Sequence, residues 1–286
     1  MPTRRNGPVS SNVRPHRTHL LCTPPMKTKI FSVFLFLLIA ASSHAIDLAY
    51  GSLDPNEPKS DGAILMTGEV KKGDLEVLRR FAAKDKHRFH SRTIVLASQG
   101  GDLLEATRIG LFLRKTYMEV FVNPEIGRCA SACFFIYVAA VQRDSMVPGL
   151  GIHRPYFSSS EFERTPLNEV EQKHRQLMQS VKSYLEEQQV PSKLIEKMFS
   201  LASSEIYWLT YDDIRSIGRR ANWWDQVLVD RCQLNKKLEF EYLSNGDDSP
   251  LAAQALKHLH DVAVCAYNIS ADDRLRNLDQ LVKQTK

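Results

Sequence analysis

Residues 92–115 read "RTIVLASQGGDLLEATRIGLFLRK", and this stretch decides the fold. Its first half is rich in β-branched residues and predicts a buried strand that ends at Gly100 and Gly101. Its second half predicts an amphipathic helix. The apolar face of that helix consists of Leu103, Ala106, Ile109 and Leu113. A strand that passes through a glycine turn directly into a helix is half of a β-α-β unit.

The same alternation continues on both sides of this unit. Buried strands are predicted over residues 63–70, 118–122 and 149–153, and helices over residues 73–84 and 131–142. Strands that alternate with helices predict an α/β fold with a parallel sheet and right-handed crossovers.

The second half of the chain is expected to be mainly helical. Long helical patterns cover residues 166–190 and 192–202, and a shorter helix begins after Thr210 as its N-cap and closes at Gly218. Beyond it, "WWDQVLVD" at 223–230 and "KLEFEYL" at 237–243 favour strands because their residue types are common in sheets. A strong helix is predicted over residues 250–269.

The positive charge of the chain is confined to its N-terminus. Residues 1–45 hold six of the 38 lysines and arginines and no acidic residue, so the rest carries 32 basic against 33 acidic groups. Residues 46–286 therefore have no net positive charge, and no nucleic-acid partner is expected.

Residues 26–45, "MKTKIFSVFLFLLIAASSHA", have the pattern of a secretory signal peptide. Two lysines precede an apolar run that is short for a membrane span, and small residues follow it. Cleavage near Ala45 would make the protein periplasmic or secreted, and an uncleaved N-terminal membrane anchor is the alternative. Residues 1–25 resemble no domain, which makes Met26 a candidate for the true first residue.

Four cysteines remain after such cleavage, and an oxidising compartment permits disulfides between them. Cys232 and Cys265 are the expected pair, since both lie in the C-terminal part. On one helix the Cβ atoms of Cys129 and Cys133 would be about 5–6 Å apart, too far for a relaxed bridge. They are expected to be buried thiols unless the helix starts after Cys129. No zinc site is expected, because CxxxC has no second ligand pair.

Three features could carry chemistry. The N–H groups of Gly100 and Gly101 can point into open space and hold an oxyanion. Ser131 lies at the start of an apolar helix, where it is either an activated hydroxyl or only the helix N-cap. His153 follows a short strand and is either a structural residue or a general base.

Taken together, the order and spacing of these features resemble the proteolytic subunit of Clp protease. That family has an "SPGG" turn, an "AASxG" nucleophile helix and an "HQP" base. This chain has "SQGG", "CASAC" and "HRP", with Ser131 30 residues after Gly101 and His153 22 residues further on. The resemblance is good over residues 63–155, weakens up to Gly218 and then ends.

The resemblance implies a ClpP/crotonase-like ββα-superhelix with a parallel sheet and a helical C-terminal extension. Residues 1–45 would be the N-terminal extension and signal peptide, residues 46–218 the ClpP-like domain and residues 219–286 the extension. It also implies that Ser131 is the nucleophile and His153 the base, and that the N–H groups of Gly101 and Ala132 form an oxyanion hole.

The chain departs from the family pattern at the third catalytic group. "WLTYDDIRSIG" resembles the family's "FLSAxEAxxYG", and in that register the family's aspartate falls on Ile206. Glu205 is adjacent, but a one-residue slip in a strand points a side chain to the other face. The third group is therefore Glu205 with a local kink, or it is absent. Gln99 replaces the proline of "SPGG", and Arg143 loosely fits the family's "G-x-x-R" region.

The sequence therefore predicts an exported serine hydrolase, a peptidase that acts on peptide or protein substrates as a homo-oligomer. Neither a cofactor nor a metal is expected, and export argues against the coenzyme A that crotonases bind. One alternative is a catalytically inactive ClpP-like module that binds a peptide or partner protein in the cell envelope. Another is a structural envelope protein with an N-terminal anchor, the one case in which contact with the membrane is expected.

Overall fold

The structure is a computed structural model, and it describes residues 45–52, 62–90, 93–156, 166–202, 204–246 and 250–283. The signal-peptide prediction falls outside these residues. None of the helices within the described ranges is both long and apolar enough to cross a membrane.

The main sheet has five strands in the order β1-β2-β3-β4-β6. Only β1 runs antiparallel to its neighbour, and the three other pairings are parallel. The strands are β1 (Asp47–Gly51), β2 (Ala63–Thr67), β3 (Thr93–Ala97), β4 (Glu119–Val122) and β6 (Gln142–Ser145). The predicted α/β class with a parallel-rich sheet is confirmed.

Four helices connect these strands: α1 (Asp74–Lys84), α2 (Lys86–His90), α3 (Leu103–Lys115) and α4 (Ala132–Ala139). The Asp102 side chain caps α3 by accepting from the N–H of Glu105 at 2.8 Å. Gly110 lets α3 approach α4 closely, since a Cβ there would lie 2.8 Å from the Ala139 Cβ. Every residue of α4 is buried, as its uniformly apolar sequence predicts.

A second sheet of three short strands lies beyond the end of β3. It contains β5 (Cys129–Ala130), β7 (Leu150–Ile152) and β8 (Tyr207–Trp208), in the order β5-β7-β8. An isolated parallel bridge pairs Ser98, just after β3, with Cys129 of β5. The three-stranded sheet is therefore joined to the main sheet at Ser98, just before the turn at Gly100 and Gly101.

The remaining elements are all helices: α5 (Leu167–Glu187), α6 (Ser192–Ser200), α7 (Tyr211–Ile217), α8 (Asn222–Cys232), α9 (Lys236–Asn245) and α10 (Ala252–Lys283). The strands predicted over residues 223–230 and 237–243 are wrong, because both segments lie in helices α8 and α9. Trp224 and Leu228 are buried at helical spacing, and the Asn235 side chain caps α9. Tertiary packing and a cap outweigh the sheet preference of the residue types.

The sequence did not predict β1 or β6. The helix expected over residues 131–142 ends at Ala139, and β6 follows directly. Its sequence, QRDS, has no strand-like apolar pattern. It is a strand because its backbone pairs with β4 and because the N–H of Arg143 donates to Arg219 O at 2.8 Å.

Helices α8 and α10 build a second apolar cluster against the edge of the main sheet. Its buried members are Val141, Ala221, Trp224, Leu228, Leu234, Val262 and Ala266. Further along α10, Leu278 belongs to the main core. Residues after Gly218, expected as a separate extension, thus share apolar contacts with residues of the first half of the chain.

Arg143 ties the end of α4 to the end of α7. It is 3% exposed, and its guanidinium donates to the carbonyls of Ile217 and Gly218 at 3.0 Å each and to that of Val138. Burial lowers its pKa to about 10, so it remains charged at neutral pH. These bonds satisfy carbonyls near helix C-termini that have no partner within their own helix.

Replacing this arginine should destabilise the fold strongly. Arg143→Met leaves three carbonyls without donors, and we expect the free energy of unfolding to fall by about 3 kcal/mol. Arg219→Met is the control, because Arg219 makes an ion pair with Asp144 at 2.8 Å and is half exposed. Its loss should cost less than about 1 kcal/mol. Urea unfolding measures both, and equal losses would contradict the role assigned to Arg143.

Candidate active site

The glycine turn after β3 is held from two sides. The buried Ser98 Oγ accepts a hydrogen bond from the Gly100 N–H at 3.1 Å. On the other side, the N–H of Val70 donates to Gly100 O at 2.7 Å, and the N–H of Asp102 donates to Val70 O at 2.7 Å. Gly100 has φ +103° and Gly101 has φ +134°, a conformation that favours glycine at both positions.

This arrangement leaves the Gly101 N–H available. A trans peptide places the N–H of Gly101 opposite the carbonyl of Gly100, and that carbonyl faces Val70. The Gly101 N–H therefore points away from Val70. Ala132 is the first residue of α4, so its N–H has no acceptor within the helix. Among the residues that the structure describes, none accepts a hydrogen bond from either N–H.

Ser131 lies on a sharp turn between β5 and α4, with φ 57° and ψ −125°. Such a backbone conformation is uncommon for a residue other than glycine and is concentrated at functional sites. Ser131 occupies the N-cap position of α4, but its side chain makes no capping hydrogen bond. A serine on a strained strand-to-helix turn presents its hydroxyl outward, as in a nucleophile elbow.

The two predicted site segments are in direct contact. A Cβ on Gly100 would lie 2.6 Å from the Ser131 Cβ and 2.9 Å from the Ala132 nitrogen. Only a residue without a side chain fits here. The glycine turn and the start of α4 therefore meet at Ser131, as an oxyanion hole beside a nucleophile requires.

Cys129 and Cys133 form a disulfide that brackets Ser131. The expectation of two buried thiols assumed one continuous helix and is wrong for that reason. Cys129 lies on β5 and the helix begins only at Ala132, which brings the two Cα atoms to 5.3 Å. The other disulfide joins Cys232 to Cys265 and so links α8 to α10.

His153 lies one residue beyond β7, on the strand next to Ser131. The N–H of Ser131 donates to Gly151 O at 3.1 Å, and Ala130 pairs with Gly151 in the parallel register. Continuing this register places Ser131 opposite Ile152, with His153 as the next residue. The two residues therefore lie one position apart on neighbouring strands, and no hydrogen bond joins the Ser131 hydroxyl to the His153 ring.

The hydrogen bond made by the His153 ring favours one of its two neutral tautomers. Its Nδ1 lies 2.9 Å from the backbone O of Arg154. A carbonyl oxygen can only accept, so this contact is a hydrogen bond in the tautomer that carries its proton on Nδ1, and in that neutral tautomer Nε2 has the lone pair. This is the tautomer that a general base needs. The Tyr156 ring lies beside the imidazole, with the ring centres 5.7 Å apart.

The structure does not bring Glu205 to His153. In the antiparallel pairing of β7 with β8, Ile152 lies opposite Tyr207, so His153 falls opposite Ile206 and Arg154 opposite Glu205. Glu205 itself lies before β8, where its N–H donates to Ala202 O at 3.1 Å, and it forms neither a hydrogen bond nor an ion pair with His153 among the described residues. It is exposed to solvent. Within the described ranges, no carboxylate forms an ion pair with His153.

Two contributors to the site were missed from the sequence. Ser98 holds the glycine turn, and its only signal is a small polar residue two positions before Gly100. The carbonyl of Arg154 orients His153, and a backbone group leaves no signal in the sequence. No group of three metal-ligating side chains occurs in the part of the chain that the structure describes.

The fold and the site thus define an α/β protein with a serine on a strand-to-helix elbow beside a glycine turn. No family model and no curated protein matches the chain. Two solved structures are similar to part of this chain. One is a mutant of the 1510-N membrane-bound stomatin-specific protease, with 16% identity and a TM-score of 0.39 over 55% of this chain and 75% of that one. The other is a mutant of ClpP1 from Listeria monocytogenes, with 22% identity and a TM-score of 0.36 over 55% of this chain and 86% of that one.

The contact between Gly100 and Ser131 can be tested by adding a single methyl group. Gly100→Ala meets both a positive φ and the close approach of Ser131, whereas Gly73→Ala meets a similar φ of +99° with nothing within 4 Å. The conformational cost is shared, so we expect Gly100→Ala to cost about 1–3 kcal/mol more than Gly73→Ala because of overpacking. Thermal unfolding of both variants gives this difference, and a difference near zero would contradict the contact.

Proposed function

We propose that this chain is an exported serine hydrolase that cleaves peptides, with Ser131 as nucleophile and His153 as general base and then general acid. The observation that carries the proposal is the backbone of Ser131. Ser131 has a positive φ on a strand-to-helix turn, and its side chain makes no capping hydrogen bond. In the proposed site this turn presents the hydroxyl to the available N–H groups of Gly101 and Ala132.

In this mechanism the Ser131 Oγ attacks the carbonyl carbon of the scissile bond while His153 Nε2 takes its proton. The negative charge that develops on the carbonyl oxygen is stabilised by the N–H groups of Gly101 and Ala132 and by the N-terminal end of α4. The imidazolium then protonates the leaving amine, and an acyl-enzyme remains on Ser131. Water activated by Nε2 hydrolyses this ester and restores the serine.

The His153–Arg154 contact supports a dyad rather than a triad. A backbone carbonyl holds the imidazole in the required tautomer, a role that a carboxylate has in a Ser-His-Asp triad. A carbonyl dipole stabilises the imidazolium less than a carboxylate does, so the proposed enzyme is slow. The Ser131–His153 hydrogen bond forms when substrate binds, because such bonds are often long in the free enzyme.

Export is part of the proposal. The signal-peptide pattern of residues 26–45 supports it, and so do the two disulfides, because such bonds persist in oxidising compartments. We place the mature protein in the periplasm or outside the cell and propose that it acts on peptide or protein substrates as a homo-oligomer. The 21-residue helix α5, with many exposed side chains, is available for such an interface.

The second candidate function is that of an inactive ClpP-like module that binds a peptide or a partner protein. Two observations favour it. No hydrogen bond joins Ser131 to His153, and among the described residues no carboxylate pairs with His153. Reactivity of the serine distinguishes the two functions directly.

A fluorophosphonate probe tests the proposal on the mature protein from Ile46. We expect label on Ser131, mapped by mass spectrometry, and none in Ser131→Ala. His153→Ala should slow labelling by at least about 100-fold, the typical contribution of a general base. His260→Ala is the matched control, because His260 is exposed on α10. An unlabelled but folded wild-type protein would contradict the hydrolase and favour the binding module.

Glu205→Gln belongs in the same assay. Since Glu205 is exposed and forms no ion pair with His153 among the described residues, we expect the labelling rate to stay within about twofold of wild type. A drop comparable with that of His153→Ala would show that Glu205 is the third member of a triad. The dyad would then be the wrong mechanism, although the serine hydrolase would stand.

The disulfide whose removal costs more stability should be the one whose removal affects the reactivity of Ser131 less. The loop entropy removed by Cys129–Cys133, with a sequence separation of 4, is worth roughly 2 kcal/mol. The value for Cys232–Cys265, with a separation of 33, is roughly 4 kcal/mol. The paired alanine variant at 232 and 265 should therefore lose more stability in urea unfolding.

Labelling of Ser131 should show the reverse order. Cys129→Ala with Cys133→Ala frees the turn that holds Ser131, and we expect labelling to fall at least tenfold at a temperature where both variants are folded. Cys232→Ala with Cys265→Ala serves as the control and should stay within about twofold of wild type. Equal labelling in the two paired variants would show that the disulfide around Ser131 has no part in positioning it.

A further inference from the structure

A cavity of about 600 Å³ lies between the edge of the main sheet and the C-terminal helices. Strands β4 and β6 form one wall, and α8, α9 and α10 form the other. It contains none of the residues of the candidate active site. Much of its lining is apolar, with side chains from Val120, Phe121, Leu228, Leu243, Val262 and Ala266. A cavity of this size and character is typical of a small-molecule site.

Three of the four arginines that line this cavity form ion pairs or hydrogen bonds with other groups of the protein. Arg219 pairs with Asp144 at 2.8 Å. Arg220 bonds to Asp225 and, through both terminal nitrogens, to Glu239, each at 2.7 Å. Arg143 donates to three backbone carbonyls, as described above. The cavity therefore has little charge available from these groups.

Arg274 of α10 is different. It is only 8% exposed, yet its Nε has no hydrogen-bond partner, and no described residue accepts from its guanidinium. Its nearest ring is that of Tyr267, whose centre lies 5.6 Å from the Arg274 Cζ. Burial lowers the pKa of Arg274, with Glu119 acting in the opposite direction. Glu119 is occupied by the Gln142 side-chain amide at 2.5 Å and forms no ion pair with Arg274.

A buried guanidinium without a hydrogen-bond acceptor costs stability, and the charge of Glu119 offsets that cost only in part. We propose that this cavity binds a small carboxylate with an apolar body, its carboxylate paired with Arg274 and its body against the apolar wall. The planar guanidinium fork matches a carboxylate with two parallel hydrogen bonds. Glu119 lines the same cavity, so every further negative charge on the ligand would be repelled, which favours a ligand with a single charge. The site is independent of the proposed hydrolase.

Octanoate is a suitable probe, with octanol as its uncharged match and octylammonium as its cationic match. We expect isothermal titration of the mature protein to show binding of octanoate, at least about tenfold weaker binding of octanol, and no binding of octylammonium. Arg274→Gln should weaken octanoate binding at least about tenfold, the value of a charge-assisted hydrogen bond. Arg276→Gln is the matched control, because Arg276 is exposed on the same helix, and it should bind as wild type does.

Two further measurements separate a ligand site from a structural arginine. Ala266→Leu fills the cavity and should abolish octanoate binding while Arg274 is still present. Without ligand, Arg274→Met should raise the midpoint temperature of unfolding, because it removes a buried charge that has no acceptor. A lowered midpoint would show that Arg274 stabilises the fold and would overturn the proposal. Failure of wild type to bind octanoate, or equal binding of octanoate and octanol, would overturn it too.

Discussion

The contact between Gly100 and the turn at residues 130–132 is the constraint on which the site depends. The five-stranded sheet and the three-stranded sheet meet at this point, where the N–H of Ala130 donates to Ser98 O at 2.9 Å. No side chain fits between Gly100 and Ser131, so the two backbones define the position of each other. Because the glycine turn is itself held by Val70, the elbow is fixed through it to the loop after β2. A displacement of either sheet would move the hydroxyl relative to the N–H groups beside it.

The unusual backbone of Ser131 is stable because several independent bonds hold it. The N–H of Cys129 donates to Gly149 O at 2.8 Å, and that of Ser131 donates to Gly151 O, so β7 holds the turn from one side. Ser98 holds it from the other, and the Cys129–Cys133 bond closes it internally. A strained conformation persists only where its surroundings over-determine it, and these bonds do so at Ser131.

Local patterns in the sequence were sufficient for the elements that surround the site, and they failed where tertiary contacts decide. The strand at β3, the glycine turn and α3 follow from β-branched residues, glycines and a helical apolar face. By contrast, β6 is a polar tetrapeptide that pairs only because β4 lies beside it, and α8 and α9 are built from residue types that favour sheets. The disulfide around Ser131 was missed for a similar reason, since it depends on whether the helix begins at Ala132 or at Cys129. The orientation of His153 depends on a backbone carbonyl, and no residue pattern encodes it.

Arg143 and Arg274 show how differently two buried guanidinium groups can behave in one protein. Both are less than a tenth exposed, and burial lowers the pKa of each. Three carbonyls at helix ends replace the hydrogen bonds to water that Arg143 loses on burial, and these bonds link two helices. No described residue replaces those bonds for Arg274, although it lines the same cavity. A buried charge without a hydrogen-bond acceptor lowers stability, and a methionine of similar length would fill the space without that cost. This difference is accounted for if Arg274 binds a ligand in the cavity and Arg143 stabilises the fold around it.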